Sequence, residues 1–365
     1  MSMRIALVIP TMDRGGAEKQ LCLLAEHLPR DQFDVHVILL TRDGPRSESL
    51  RAAGIPVTVI GKRFKADPTA LFRLRRELVR LKPDVVHTWI FAANSFGRAA
   101  AKLARVPRIL ASERCVDPWK TEVHFGIDRR LARWTDAITT NSTGVVDFYA
   151  SHGIARDKFH VIPNAIQPRS ECEIERAEAL DRLQVPQQQK LILAVGRLWP
   201  QKRYRDLIWA AELLGSVRDD ITLVIIGDGP QRGELLRFRD SVSIPERVRF
   251  AGTRHDVSEL LPHADAFWIG SDYEGQSNSV IEAMQAAVPV VASDIPGNRD
   301  LVIPEVTGKL VAVGDTADFA RQTLELLENH ELGARYAGAA QQRIATEFTV
   351  EAMVRAHAEL YGRGH

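Results

Sequence analysis

The stretch Ala264-Asp265-Ala266-Phe267-Trp268-Ile269-Gly270, continued by Glu274-Gly275-Gln276-Ser277-Asn278-Ser279-Val280-Ile281-Glu282 and Ala283-Met284-Gln285-Ala286-Ala287, changes character twice. Its first part is an apolar run of strand length, its middle is polar and carries two carboxylates, and its last part consists of good helix formers. A buried strand that passes through a polar loop into a helix is the repeating unit of a parallel α/β sheet. Glu274 and Glu282 bracket the loop, the first within it and the second in the first turn of the helix. Carboxylates at such a place accept paired hydroxyls, while the N–H groups at a helix start face an anion. The combination suits a sugar carrying phosphate. Ser279 and Glu282 also have the S-x-x-E spacing of a capping box, which would give Glu282 a purely structural role.

The same alternation extends in both directions. Strand-like runs fall at 5–9, 35–40, 57–60, 85–86, 109–111 and 137–140, with helical patterns near 17–28, 47–53, 69–81, 94–104 and 143–151. Residues 159–168 bring a strand to a proline-bounded polar stop, and the acidic stretch 171–178 reads as a helix. A second series of strands follows at 191–196, 221–226, 248–250, 266–269 and 288–292. The economical reading is two α/β modules of similar size joined near residue 166. Ligands of open parallel sheets bind outside the carboxyl ends of the strands, so two such modules facing each other would line a cleft with their loops.

Size and charge agree with this. A chain of 365 residues is long for one core and comfortable for two. No apolar run approaches the ~20 residues that span a bilayer, and the start, Met1-Ser2-Met3-Arg4-Ile5-Ala6-Leu7, enters a strand without the pattern of a signal peptide. Cys22, Cys115 and Cys172 are odd in number and lack metal-type spacing. The expected location is cytoplasmic. The net charge of +1 hides an imbalance: residues 1–165 carry +9 and the rest −8. A basic first half points to an anionic acceptor or membrane surface, hence to peripheral association with the inner face of a membrane. Arg73, Arg75, Arg76, Arg80 and Lys82 cluster along 71–82, where a solvated helix face is the competing explanation. Nucleic acid is not expected, because the basic runs lack interleaved aromatics and a binding motif.

Three loops carry further chemistry. Gly15-Gly16 follows the first strand and opens the first helix, where two glycines let backbone N–H groups approach a ligand; the pattern is not G-x-G-x-x-G, so a dinucleotide fingerprint is not supported. Gly196-Arg197-Leu198-Trp199-Pro200-Gln201-Lys202 follows the first strand of the second module, and its two cations suit a diphosphate. Gly227-Asp228-Gly229-Pro230 is a turn by composition and a candidate wall of a nucleotide pocket.

The ordered set Gly15-Gly16, Pro163-Asn164, Gly196-Arg197 to Lys202, Gly227-Asp228-Gly229-Pro230, Glu274 to Glu282 and Pro296-Gly297-Asn298 to Gly308 resembles the family-4 retaining glycosyltransferases of GT-B fold. The resemblance covers nearly the whole chain and is strongest over 191–313. It implies two facing Rossmann-like domains with a central cleft: an acceptor-binding domain 1–166, completed by a C-terminal helix at about 346–365 that crosses back, and a donor-binding domain 167–345. It implies a nucleotide-sugar donor, most often a UDP-sugar, and a glycan or polyprenyl-diphosphate-linked acceptor in surface polysaccharide biosynthesis. By carry-over, Glu282 would hold the ribose hydroxyls and Glu274 the sugar hydroxyls. Gly275, Gln276, Ser277 and Asn278 would orient sugar and diphosphate, with Gly15, Gly16 and Gly227 as further donor contacts. Arg197 and Lys202 would stabilise the departing diphosphate. No cofactor and no metal are expected, since the sequence has no Asp-x-Asp triplet and the two cations can supply the charge.

Departures qualify the carry-over. The linker reads Pro163-Asn164-Ala165-Ile166-Gln167 where the family often has glycine and aspartate, and Gln276-Ser277 stands where Phe-Pro is common. Ser112-Glu113-Arg114 stands where many members have a histidine, so Glu113 and Arg114 are expected only as weak contacts on the acceptor or donor-sugar side. His87, at the carboxyl end of a strand, is a similar candidate, with a buried structural histidine as the alternative. Two other readings share the fold: a nucleotide-sugar epimerase or hydrolase, and a non-catalytic nucleotide-sugar-binding protein.

Overall fold

The strand-like runs pair in parallel, in two separate sheets. In the computed structural model, which describes residues 2–169 and 174–362, the first sheet contains β1 (Met3–Ile9), β2 (Phe33–Leu39), β3 (Val57–Val59), β4 (Val85–Trp89), β5 (Arg108–Glu113), β6 (Ala137–Thr140) and β7 (Phe159–Val161). Their order across the sheet is β3-β2-β1-β4-β5-β6-β7. The second sheet contains β8 (Lys190–Val195), β9 (Ile221–Ile226), β10 (Val248–Gly252), β11 (Ala266–Ile269), β12 (Val290–Ser293) and β13 (Lys309–Val311), in the order β10-β9-β8-β11-β12-β13. Each sheet therefore runs outward in one direction from its first strand and then returns to the other side. The reversals fall between β1 and β4 and between β8 and β11, and it is at such switch points that open sheets bind ligands.

The chain divides into two units. One comprises the residues up to Ala165 together with those from Phe348 onward, and the other runs from Ile166 to Glu347. In the first unit β1 is buried on both faces, which is why it reads as an unbroken apolar run rather than an alternation. Ile5, Leu7 and Ile9 face the helices Gly16–His27 and Val350–Gly362, while Ala6 and Val8 face the helices Pro68–Leu81 and Ile90–Ala104. The helix Val350–Gly362 contributes Val350, Met353, Val354, Leu360 and Tyr361 to this core. In the second unit Ile192, Ala194, Leu223 and Ile225 pack against the helices Tyr204–Gly215 and Thr316–Glu328.

Several elements differ from expectation. β4 continues to Trp89 and its following helix begins at Ile90, four residues before the helical pattern. The helix Glu122–Ala132 and strand β13 were not anticipated. Of the acidic stretch 171–178, residues 171–173, with Cys172, lie outside the described residues; a helix occupies Arg176–Arg182. Cys22 and Cys115 are free thiols. The missing linker glycine carries no backbone penalty, because Ala165 is not among the residues with positive φ. Gln20 instead clamps it, donating to the Ala165 carbonyl and accepting from its N–H, each at 2.8 Å. Among the described residues no helix is long and apolar enough to cross a membrane.

Candidate active site

The loops after β8 and β11 flank the switch point of the second sheet, and they are bonded to each other. After β8 the chain makes a tight turn over Pro200–Lys202, passes through Arg203 in a left-handed conformation (φ 50°) and enters the helix Tyr204–Gly215. The Asp272 N–H donates to the Gln201 carbonyl at 2.9 Å, and the Gln201 side-chain amide donates to the Tyr273 carbonyl at 2.6 Å. Arg203 adds a bond to Asp272 at 2.9 Å. This joint sets the next side chain on each loop against the other: Lys202 Nζ donates to Glu274 Oε1 in an ion pair, and Ser271 Oγ donates to the same oxygen at 2.8 Å. Both side chains of the pair are mostly buried, at 16% and 12% exposure, so the bond is shielded from water rather than merely placed in it.

Arg197, the other expected cation, is exposed, and its guanidinium lies 5.4 Å from the Trp199 ring centroid. No carboxylate pairs with it among the described residues. One cation of the loop is thus compensated by the protein and the other is not.

Glycines let the neighbouring loops close on this point. Gly227, after β9, has φ 145°, and a Cβ there would lie 1.9 Å from the Gly196 carbonyl oxygen. A Cβ on Gly297 would lie 1.7 Å from the carbonyl oxygen of Gly275. No side chain fits at either position, so the backbones of four loops touch directly.

Gly275, Gln276 and Ser277 are buried and lead into the helix Asn278–Gln285. Ser277, extended at φ −78° and ψ 117°, is the residue that begins this helix. That overturns the capping-box expectation: Ser279 lies inside the first turn, and its hydroxyl meets that of Ser277 at 3.0 Å. Glu282 falls in the second turn instead of the first, because the helix starts earlier than the S-x-x-E spacing implies. It is partly exposed.

In the first unit, Gly15 precedes the helix Gly16–His27 at φ −94°, a conformation open to any residue, and its carbonyl accepts from the Lys19 N–H at 3.1 Å. His87 is fully buried. Its Nδ1 meets the Tyr361 hydroxyl at 2.8 Å and its Nε2 the Thr139 hydroxyl at 3.2 Å. Burial, with smaller contributions from His357 and Arg114, holds its pKa well below the usual histidine range. The expected acceptor or sugar contact is therefore corrected: His87 is a neutral core residue with no surface to offer.

Glu113 ends β5 and Arg114 follows it, and both are also buried, at 4% and 9% exposure. Arg114 donates to the Asn164 side-chain oxygen, lies 5.0 Å from the Trp89 ring centroid, and is drawn down by burial to about 9, still charged at neutral pH. Glu113 meets the Tyr149 hydroxyl at 3.1 Å. Both are held by other side chains of the first unit. Spacing in the sequence gave no sign of Ser271, Gln201 or Asp272 as supports of the site, since their partners are distant in the chain and ordinary in type.

Comparison with known proteins is consistent across the chain. Residues 14–170 match the family model for glycosyltransferase family 4, and residues 175–343 match that for glycosyl transferases group 1. The chain is 26% identical over 332 residues to an Escherichia coli UDP-Gal:alpha-D-GlcNAc-diphosphoundecaprenol alpha-1,3-galactosyltransferase, covering 84% of this chain and 83% of that one. It is 29% identical over 335 residues to a Mycobacterium tuberculosis (strain CDC 1551 / Oshkosh) GDP-mannose-dependent alpha-mannosyltransferase, with 86% and 84% covered. The solved structure of Anabaena Alr3699/HepE in complex with UDP and glucose superposes with a TM-score of 0.89, at 22% identity, over 99% of this chain and 100% of that one. The fold is GT-B.

Proposed function

The chain belongs to the group 1 and family 4 glycosyltransferases, and from that premise we propose that it moves a sugar from a nucleotide diphosphate donor, a UDP-sugar, to a glycan or polyprenyl-diphosphate-linked acceptor with retention of anomeric configuration. The observation that carries the reading is the bonded pair of loops at the β8/β11 switch point, with Lys202 and Glu274 in contact and Arg197 exposed on the same loop as Lys202. The relative that acts on a diphosphoundecaprenol-linked sugar with UDP-Gal supports the donor and acceptor classes.

In this reading Arg197 and Lys202 take the donor diphosphate, Glu274 takes the sugar hydroxyls and Glu282 the ribose. Gly275, Gln276, Ser277 and Asn278 orient sugar and phosphate at the helix start. As the glycosidic bond breaks, negative charge grows on the departing phosphate oxygen, and the two cations stabilise it more than they stabilise the intact donor. That same oxygen accepts the proton of the attacking acceptor hydroxyl, so attack occurs on the face the nucleotide leaves. No metal is required when two cations already serve the diphosphate.

The test is a panel of UDP- and GDP-sugars with crude lipid-linked acceptors and the full chain, read as nucleotide release and product anomeric configuration. Expected are acceptor-dependent release from a UDP-sugar, a retained linkage, and activity that persists in EDTA. Acceptor-independent epimerisation, an inverted linkage, a glycosyl adduct trapped on Glu274 or abolition by EDTA would each overturn the corresponding part.

We also infer peripheral attachment to an anionic membrane. The outward face of the helix Pro68–Leu81 presents Phe72 at 65% exposure and Val79 at 45%, flanked by Arg75 and Arg76. Arg73 is otherwise engaged, with bonds to the carbonyls of Ile60 and Gly61, and Arg75 donates through Nε to the Leu103 carbonyl at 3.2 Å. Binding to phosphatidylglycerol vesicles should fall steeply as salt rises from about 0.1 M to about 1 M, where screening shortens from ~10 to ~3 Å. Absence of binding at low salt sinks this part.

A further inference from the structure

Five charged or chargeable side chains and one phenol are enclosed where β5 meets the loop 114–121 and three helices. Asp128, on the helix Glu122–Ala132, accepts from Arg98 at 2.8 Å through one oxygen and from Lys120 at 2.9 Å through the other. Arg98, Lys120 and Asp128 are fully buried or nearly so. Lys120 also donates to the Tyr149 hydroxyl at 2.8 Å and lies 3.3 Å from Asp117. The Tyr149 oxygen is then within 2.9 Å of Asp117 Oδ2 and 3.1 Å of Glu113 Oε2.

The protons can be counted. A tyrosine hydroxyl has one proton to give and two lone pairs to fill, and a lysine ammonium only donates. One phenolic proton cannot serve two carboxylate oxygens. With both ionised, one of them would face a lone pair, and three carboxylates would share two cations. With Glu113 protonated, its O–H donates to Tyr149, Tyr149 donates to Asp117, and Lys120 fills the remaining lone pair. The cluster then holds two positive and two negative charges with its phenol fully satisfied. Glu113 is the carboxyl that keeps the proton, because Asp128 is bonded to two cations and Asp117 accepts from Trp119 at 3.1 Å and is partly exposed. Among the described residues no cation pairs with Glu113.

We propose that Glu113 is a positioning residue that works in its uncharged form: its O–H, donated to Tyr149, holds the loop 114–121 in place, and ionisation of Glu113 releases that loop. Burial raises the carboxyl to about 7, opposed by Lys120 and Arg98 and assisted by Asp128 and Asp117. The loop so held carries the exposed Trp119, whose ring packs on Phe91 at 5.0 Å and His124 at 5.4 Å, with Phe91 in turn 4.8 Å from Lys120 Nζ. The bearing on transfer rests on the first unit being the acceptor side.

The experiment is amide hydrogen exchange of the full chain at about pH 6 and about pH 8.5, corrected for intrinsic rates. A carboxyl whose folded value stands above the unfolded one of about 4.3 stabilises the folded loop less as pH climbs toward and past 7. Exchange within 114–121 should therefore rise up to about tenfold in the wild type over this interval, and stay flat in Glu113→Gln. A flat wild type, or a rise in Glu113→Gln equal to the wild type's, overturns the proposal. If Glu113→Gln does not fold, Tyr149→Phe decides: fast loop exchange at both pH values supports the bond, and wild-type protection with a wild-type pH response overturns it. The measurement uses no substrate, so failure of the transfer reading leaves it standing.

Discussion

Glu274→Ala is expected to lower turnover by about two to three orders of magnitude while nucleoside diphosphate binding stays within about threefold or tightens. The two effects separate because Glu274 has two neighbours with opposite consequences. Toward the sugar it is the proposed acceptor of hydroxyl bonds that strengthen in the transition state. Toward Lys202 it is a counter-charge. Removing it costs the first and frees the second, leaving Lys202 with more charge to offer a diphosphate. Glu274→Gln is the companion variant, since its amide oxygen can still accept from Ser271, which bonds the wild-type carboxylate at 2.8 Å. Turnover from nucleotide release and UDP affinity by calorimetry read the two arms. A parallel loss of both would mean that Glu274 only ties the two loops together, and the assignment to the sugar would fall.

The second large effect is on stability. Asp128→Ala should destabilise the first unit by about 3–5 kcal/mol, the range found when one member of a buried ion cluster is removed and its partners are left unpaired. Arg98 and Lys120 both lose their bonds to Asp128 in a site that water does not reach. Asp128→Asn should be nearly as damaging, because the loss is of charge as much as of geometry. The exposed Arg239–Asp240 pair is the control, where Asp240→Ala should cost under about 1 kcal/mol. Denaturant midpoints of the unfolding transitions make the comparison. A loss for Asp128→Ala no larger than the control's would show that the cluster does not hold the unit together.

Much of the architecture can be read from runs such as 191–195 and 221–226, because strands buried on both faces are built mostly of apolar side chains. What escapes reading is where burial and polarity part company. β13 contains Lys309, nearly buried yet charged, a residue that disguises a strand until its pairing with Glu305 and Glu325 is seen. The helix Glu122–Ala132 exposes Val123 and Ile127, buries Asp128 and has Gly126 inside it, so its amphipathic stripe is inverted at three places. Trp89-Ile90-Phe91 looks like a continuing strand, but Ile90 turns the chain at φ 59°, an unusual value for a β-branched residue. The site divides in the same way. Lys202 and Glu274 can be picked out as charged residues in the two loops that follow buried strands, and the structure brings them together. His87 stays open between a site role and a buried one, because its partner Tyr361 lies 274 residues away, beyond any local pattern.

That long reach has a consequence for how the protein is made. Residues 1–165 leave the ribosome well before the helix Val350–Gly362, which helps to cover Ile5, Leu7 and Ile9. At ~5–20 residues per second the interval is roughly ten to forty seconds. During that time this apolar face of the nascent first unit is only partly covered, by the helix Gly16–His27, and the second unit, whose sequence is continuous, can finish ahead of it. The first unit begins earlier in the sequence, yet it is completed only after the whole of the second has been translated.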